Sequence, residues 1–269
     1  MSDTSASKVS VQVSRRSFEQ RIWSSAGIIA ILIFWQVGAN AELLPTRYTS
    51  SPLLVAKAAI QMMADGSLLH DVMVTLTEFT IGMTAAIAIG IPFGILAGWY
   101  KRLQYAVDPY LAALYATPSL ALLPLLVVWF GIGIKSTIVL VIISAFFPIV
   151  INVLQGVKTV DANLLRMARS FNSGQMRIFR DIVLPATVPF IASGLQLGVA
   201  RGLIGVVVGE MYAASNGGLG YVITVAGSAM AVDQMFVAVT IITALGIILL
   251  GATRSFERRM QHWKPRATQ

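Results

Sequence analysis

Apolar runs of membrane-spanning length, separated by short basic stretches, constrain this chain more than any other feature. The first covers residues 22–39 (IWSSAGIIAILIFWQVGA). It is close to the roughly 20 residues needed to cross about 30 Å of hydrocarbon at about 1.5 Å per residue. Trp23 and Trp35 lie near its ends, where indole rings favour the membrane interface. A second apolar region, 72–100, is too long for one perpendicular span. Its amphipathic first turns suit the interface and 80–99 suits the crossing, with Gly82, Gly90, Gly94 and Gly98 along it. Pro92 predicts a kink there, because proline lacks the N–H that bonds one turn back. The third run, 106–130, carries Pro109, Pro118 and Pro124. It predicts a broken or bent helix, tolerable only where protein or a water cavity meets the freed carbonyls. Further runs cover 137–154, 189–212 and 236–252. The expected fold class is therefore an all-α integral membrane protein with about six transmembrane helices.

Between these runs, 40–71 is polar, with Pro45, Pro52 and a short amphipathic helix expected around 53–64. Composition agrees with a lipid solvent. Hydrophobic residues are 56% of the chain, charged residues 12%, and mean hydropathy is +0.75. A soluble domain is nearer about 25% charged, so this chain has too little charge to cover a water-facing surface.

The net charge of +8 would suggest nucleic acid in a soluble protein, but here the basic residues sit between apolar runs and no nucleic-acid partner is expected. With the N-terminus inside, sixteen of the 20 Lys and Arg fall on the inner side. Arg47, Lys57 and Lys135 lie outside, and Arg201 falls within a span. That positive-inside bias predicts a multi-pass membrane protein with both termini cytoplasmic. The expected organisation is a cytoplasmic tail (1–21), a transmembrane domain (22–254) with a cytoplasmic loop at 155–184, and a basic cytoplasmic tail (255–269). The polar N-terminal tail lacks the pattern of a cleaved secretory signal.

Chemistry of other kinds finds little support. There are no cysteines, and the two histidines, His70 and His262, stand in polar stretches. Neither a thiolate site nor a metal centre is expected. Lys135-Ser136-Thr137 resembles the tail of a phosphate-binding loop, but Ile134 stands where that loop needs glycine. The segment is expected to be a turn joining two spans. No cofactor is therefore expected on this chain, and any ATP would be bound by a partner subunit.

The 155–184 stretch is amphipathic, basic and too polar to span. Leu164, Leu165, Ala168 and Phe171, then Met176, Phe179, Ile182 and Val183, recur at helical spacing. Asn172-Ser173-Gly174 predicts a turn between two short helices. In the fifth run, Gly194, Gly198, Gly202, Gly205 and Gly209 form one stripe. Such a stripe lets another backbone approach closely, either within the chain, along a pathway, or between two copies. The same run holds Arg201 and Glu210, about two and a half turns apart and so on opposite faces. Charges in hydrocarbon cost several kcal/mol and usually face a cavity or a partner. Arg201 suits a pathway for an anion, or neutralises Glu78, or caps carbonyls. Glu210 lies near the outer end, within reach of the interface.

The stretch RMARSFNSGQMRIFRDIVLPATVPFIASGLQLG resembles the coupling loop of permeases of binding-protein-dependent ATP-binding-cassette importers, most closely the branch serving nitrate, sulfonate and taurine. Arg166, Met167 and Ala168 stand at the family's Glu-Ala-Ala, Asn172 at its glycine, and Val183, Leu184 and Pro185 close the pattern. DPYLAALYATPSLALLPLLVVWFGIG, FFPIVINVLQGVKTVD and GEMYAASNGGLGYVI match the same branch, and the resemblance covers about residues 70–255. Asparagine tolerates the left-handed turn conformation, whereas Arg166 reverses the family's charge. The resemblance implies an importer permease of the bacterial cytoplasmic (inner) membrane for a small anionic solute, with no ATPase activity of its own. Implied partners are cytoplasmic ATPase subunits, a second permease copy (a homodimer), an extracytoplasmic solute-binding protein and membrane lipid. Leu165, Arg166, Ala168, Phe171, Asn172, Phe179, Ile182, Leu184 and Pro185 are the expected ATPase-coupling residues, in a helix-in-groove contact. An ion-coupled secondary carrier is the alternative. It is weakened by having only Glu78 and Glu210 as carboxyl groups within spans and by the lack of a repeat between halves. A membrane-embedded enzyme would need clustered catalytic groups that the chain lacks.

Overall fold

The computed structural model describes Trp23 and residues 26–214 and 217–260; the expected 1–21 tail lies outside the described residues. The described elements are helical: α1 (Ala26–Asn40), α2 (Thr46–Thr49), α3 (Pro52–Ala64), α4 (Ser67–Trp99), α5 (Lys101–Ala116), a 3₁₀ turn (Ser119–Leu122), α6 (Leu123–Phe130), α7 (Ile134–Lys158), α8 (Ala162–Ser170), α9 (Gln175–Ile178), α10 (Leu184–Ala213), α11 (Leu219–Ser228) and α12 (Val232–Met260). Among the described residues, four helices are long and apolar enough to cross a membrane: Ser67–Trp99, Ile134–Lys158, Gln175–Ala213 and Val232–Ser255. A fifth crossing is available if α5 and α6, bent by 88°, count as one. The described residues thus supply four to five spans, with α1 present in them as a shorter apolar helix over part of the expected first run.

Prolines shape the third run as the sequence predicts. Pro118 forces Thr117 into extended backbone (φ −72°, ψ 127°), since its ring clashes with a helical preceding residue. Pro124 instead sits in the first turn of α6, where its missing N–H costs nothing. α4 continues through Pro92 to Trp99 and begins at Ser67, so the expected interfacial turns and the span form one helix.

Two glycine stripes set the core. On α4, a Cβ at Gly82 would lie 2.7 Å from Val141, at Gly90 3.1 Å from Ile149, and at Gly98 2.6 Å from Val157. Positions therefore rise together, and α4 and α7 are parallel. On α10, Gly198 meets Ile149, Gly205 meets Ser144 and Gly209 meets Thr137, so α10 runs antiparallel to α7. Helix α7 is wedged between the stripes and is the most buried of the four spans, at 56%. Phe79, Met83, Val141, Ala145, Ile149, Val153, Val199 and Val206 fill the centre.

This topology gives the bundle two ends. Residues near 67–78, 131–137, 209–220 and 232–238 share one; residues near 97–108, 150–190 and the end of α12 share the other. The loop end departs from expectation. α7 extends to Lys158, and residues from Gln175 onward form the start of the same 39-residue helix that crosses the membrane, rather than a second short helix. The π turn Phe179–Val183 accommodates Pro185, whose absent N–H breaks the regular ladder. α7 also starts earlier than expected, taking Lys135, Ser136 and Thr137 into its first turn. Likewise α12 passes the expected boundary at 254 and runs to Met260.

Candidate functional site: an arginine-lined cavity and the 155–184 loop

The bend between α5 and α6 opens a cavity of about 670 Å³, lined by Thr117, Pro118, Ser119, Ser144, Phe146 and Arg201 among others. Its depth follows from its walls. Ile89, Ser144 and Arg201 lie near the middles of α4, α7 and α10, and the Ser144 hydroxyl hydrogen-bonds that of Ser119 at 3.1 Å. Arg201 is exposed on the chain surface, and among the described residues it pairs with no carboxyl group. The alternative that it neutralises Glu78 is therefore corrected: Glu78 lies against Glu210 instead. The cavity's hydroxyls were not legible as a site, because Ser144 lies 25 residues from Ser119 and only the bend brings it to Thr117 and Ser119.

The glycine stripe has a different role from a pathway. Gly194, Gly198, Gly202, Gly205 and Gly209 all press into α7 or α4 of the same chain. The opposite face of α10, with Leu197, Arg201, Ile204 and Tyr212, is left exposed.

Glu210 is 1% exposed and does not reach the interface. Its Oε2 accepts the Gly220 N–H at 2.7 Å. Asp71 Oδ1 accepts the Gly218 N–H and Thr75 Oγ1 the Leu219 N–H, both at 2.9 Å. Three backbone donors at the start of α11, which the helix itself cannot satisfy, are thus held by side chains of α4 and α10. Sequence reading found Glu210 but missed Asp71 and Thr75, whose partners lie about 145 residues away.

At the other end, Asp161 caps α8, accepting the Asn163 N–H at 2.7 Å, and Arg166 donates to Asn163 Oδ1 at 2.6 Å. Asn172 has φ +55°, the left-handed conformation that its position asks of a glycine substitute. The expected coupling residues divide in the fold. Phe171 is 79% exposed, and Leu164, Met167 and Met176 stand exposed with it. Leu165, Ala168, Ile182, Leu184 and Pro185 are half-buried. Phe179 turns inward, its ring edge-on to Trp99 at 5.5 Å. The exposed apolar surface is therefore Leu164, Met167, Phe171 and Met176, shifted from the expected set by the burial of the π turn. Lys158, 3.8 Å from Asp108, ties α7 to α5 at this end.

Comparison with known proteins follows these features closely. Residues 90–262 match the family described as binding-protein-dependent transport system inner membrane component. The taurine transport system permease protein of Escherichia coli is 30% identical over 255 residues, covering 93% of this chain and 92% of that protein. A putative aliphatic sulfonates transport permease protein of Bacillus subtilis is 29% identical, covering 87% and 84%. Among solved structures, an inward-facing form of the MetNI methionine ABC transporter superposes with a TM-score of 0.65 at 21% identity, covering 74% of this chain and 98% of that one. The fold, the coverage and the family match together set aside the secondary-carrier alternative. The chain is a transport permease and belongs to the family of inner membrane components of binding-protein-dependent transport systems.

Proposed function

We propose that this permease carries a small sulfonate-class anion, with Arg201 as the charged group of its pathway. The observation that carries this reading is an arginine exposed to a mid-depth cavity of about 670 Å³ with no carboxyl partner among the described residues. A guanidinium left in hydrocarbon costs several kcal/mol, so such a residue faces water or a ligand, and its fork of donors matches an oxyanion. The relatives named for taurine and aliphatic sulfonates support the same solute class.

The working unit is a pair of identical copies, meeting along the face of α10 that the glycine stripe leaves free. Cytoplasmic ATPase subunits take Leu164, Met167, Phe171 and Met176 into a groove, and ATP is hydrolysed there rather than on this chain. A solute-binding protein delivers the solute at the α11 end. Both termini and the 155–184 loop lie in the cytoplasm, a placement supported by the distribution of Lys and Arg.

Uptake of labelled ethanesulfonate into proteoliposomes bearing the assembled importer tests the reading. Arg201→Gln should reduce uptake about tenfold or more, an effect of at least about 1.4 kcal/mol, with assembly and basal ATPase activity retained. Unchanged uptake in this variant, or equal transport of an uncharged analogue by the parent protein, overturns it.

A further inference from the structure

At the loop end of the bundle a smaller cavity, of about 230 Å³, opens between the last turn of α4 and the start of the 39-residue helix. One wall is Ile95, Leu96, Trp99 and Tyr100, and the other is Gln175, Met176 and Phe179. The α4 wall changes character along its length. Ile95 and Leu96 are apolar, and Leu96 is 48% exposed. Trp99, edge-on to Phe179, and Tyr100, 57% exposed, follow at once, and such rings settle at the boundary between hydrocarbon and water. Lys101 and Arg102 come next, while Arg180 follows Phe179 on the other wall, and all three are exposed. The cavity thus passes from an apolar floor to a cationic mouth within about two helical turns.

The chain does not neutralise that mouth. Lys101, Arg102 and Arg180 form no ion pair among the described residues, where Asp108 pairs with Lys158 at 3.8 Å. Asp181, next to Arg180 in sequence, lines a separate cavity with Thr159, Asp161 and Phe190. A polar solute fits poorly against Ile95, Leu96 and Phe179, and an extended peptide would leave backbone groups without partners beside the hydrocarbon. A molecule with a hydrocarbon tail and an anionic head matches both halves of the site, since clustered Lys and Arg at a membrane surface attract anionic lipid.

We propose that this groove seats one anionic phospholipid, with an acyl chain along Ile95, Leu96 and Phe179 and the phosphate at Lys101, Arg102 and Arg180. The Gln175 amide, in the same wall, offers the head a further donor. Only the leaflet, the cytoplasmic one, rests on the orientation proposed above; the site itself does not. A lipid held here touches α4 and the first residue of the π turn together, and so braces the segment that leads out of the 155–184 loop.

The test is native mass spectrometry of the detergent-solubilised, assembled importer, offered phosphatidylglycerol and phosphatidylcholine with the same acyl chains. Phosphatidylglycerol should be retained about tenfold in preference. Lys101→Gln with Arg180→Gln, one cation from each wall, should abolish most of that preference. Arg169→Gln with Arg254→Gln removes the same charge from exposed positions elsewhere at this end and should leave it intact. Equal retention of the two lipids by the parent protein overturns the proposal, as does an equal loss in both double variants, which would mark a diffuse attraction rather than a site. Glycerol 3-phosphate competing as well as the whole lipid overturns the acyl seat. If the Lys101 and Arg180 variant does not assemble, phosphatidylglycerol with a photoactivatable acyl chain decides on the parent protein. Labelling within 95–100 and 175–179 supports the site, and labelling only elsewhere refutes it. Because these experiments read lipid binding and the Arg201 experiment reads solute uptake, failure of either leaves the other result standing.

Discussion

At the scale of single residues, a glycine's value here depends on what faces it. A Cβ at Gly94 would lie 2.9 Å from the carbonyl oxygen of Val150 and 2.9 Å from Val153 Cβ. Backbone cannot rotate away as a side-chain tip can. Gly94→Ala should therefore destabilise the permease by about 1–3 kcal/mol, the usual cost of overpacking. Gly251 lies within α12 with nothing within 4 Å. Gly251→Ala should be neutral or stabilising by up to about 1 kcal/mol, from reduced chain entropy and better helix propensity. Thermal unfolding of both variants in detergent checks the contrast; equal midpoints would show that the stripe on α4 is not close-packed. The sequence displayed both glycines equally, and only the approach of α7 separates them.

At the scale of elements, one short helix depends on partners distant in sequence. α11 is an apolar helix of ten residues, about half a bilayer long, and it is seated through Asp71, Thr75 and Glu210. Thr75→Val keeps the volume but leaves the buried Leu219 N–H without its acceptor, at a cost of about 1–3 kcal/mol. Faster hydrogen exchange confined to 217–228 is the expected result, and unchanged exchange there would refute the seating role. The loop end makes a different prediction. Phe171, fully outside the core, can be changed to Asp without loss of fold, whereas Phe179 is engaged with Trp99. Phe171→Asp should release the ATPase subunit in a pull-down at normal permease levels, and Phe179→Asp should lower the permease level itself. The amphipathic period of 155–184 was legible in the sequence, as was the left-handed turn at Asn172. Which apolar residues remain outside was not, because the π turn at Phe179–Val183 rotates that segment onto Trp99.

At the scale of the whole molecule, the exposed α10 face bearing Leu197, Arg201, Ile204 and Tyr212 is the surface proposed above for a second copy. The chain contains no cysteine, so introduced thiols report without background. Ile204→Cys, 51% exposed, should form a disulfide-linked dimer in oxidised membranes. Val206→Cys, 0% exposed against α7, should not. Absence of the Ile204 dimer, with the importer assembled and active, would place the contact between copies elsewhere.

The sequence by itself determined the solvent, the helical class, the break at Pro118 and the amphipathic period of the 155–184 stretch. Each follows from composition, periodicity or a local backbone rule that acts over one or two turns. The tertiary structure alone decided that both glycine stripes are consumed by packing within the chain, that Arg201 looks into a cavity while Glu210 holds α11, and that Glu78 lies against Glu210. These depend on which faces meet across separations of tens to more than a hundred residues. A helical repeat specifies where a side chain sits around its own axis, but not what stands opposite.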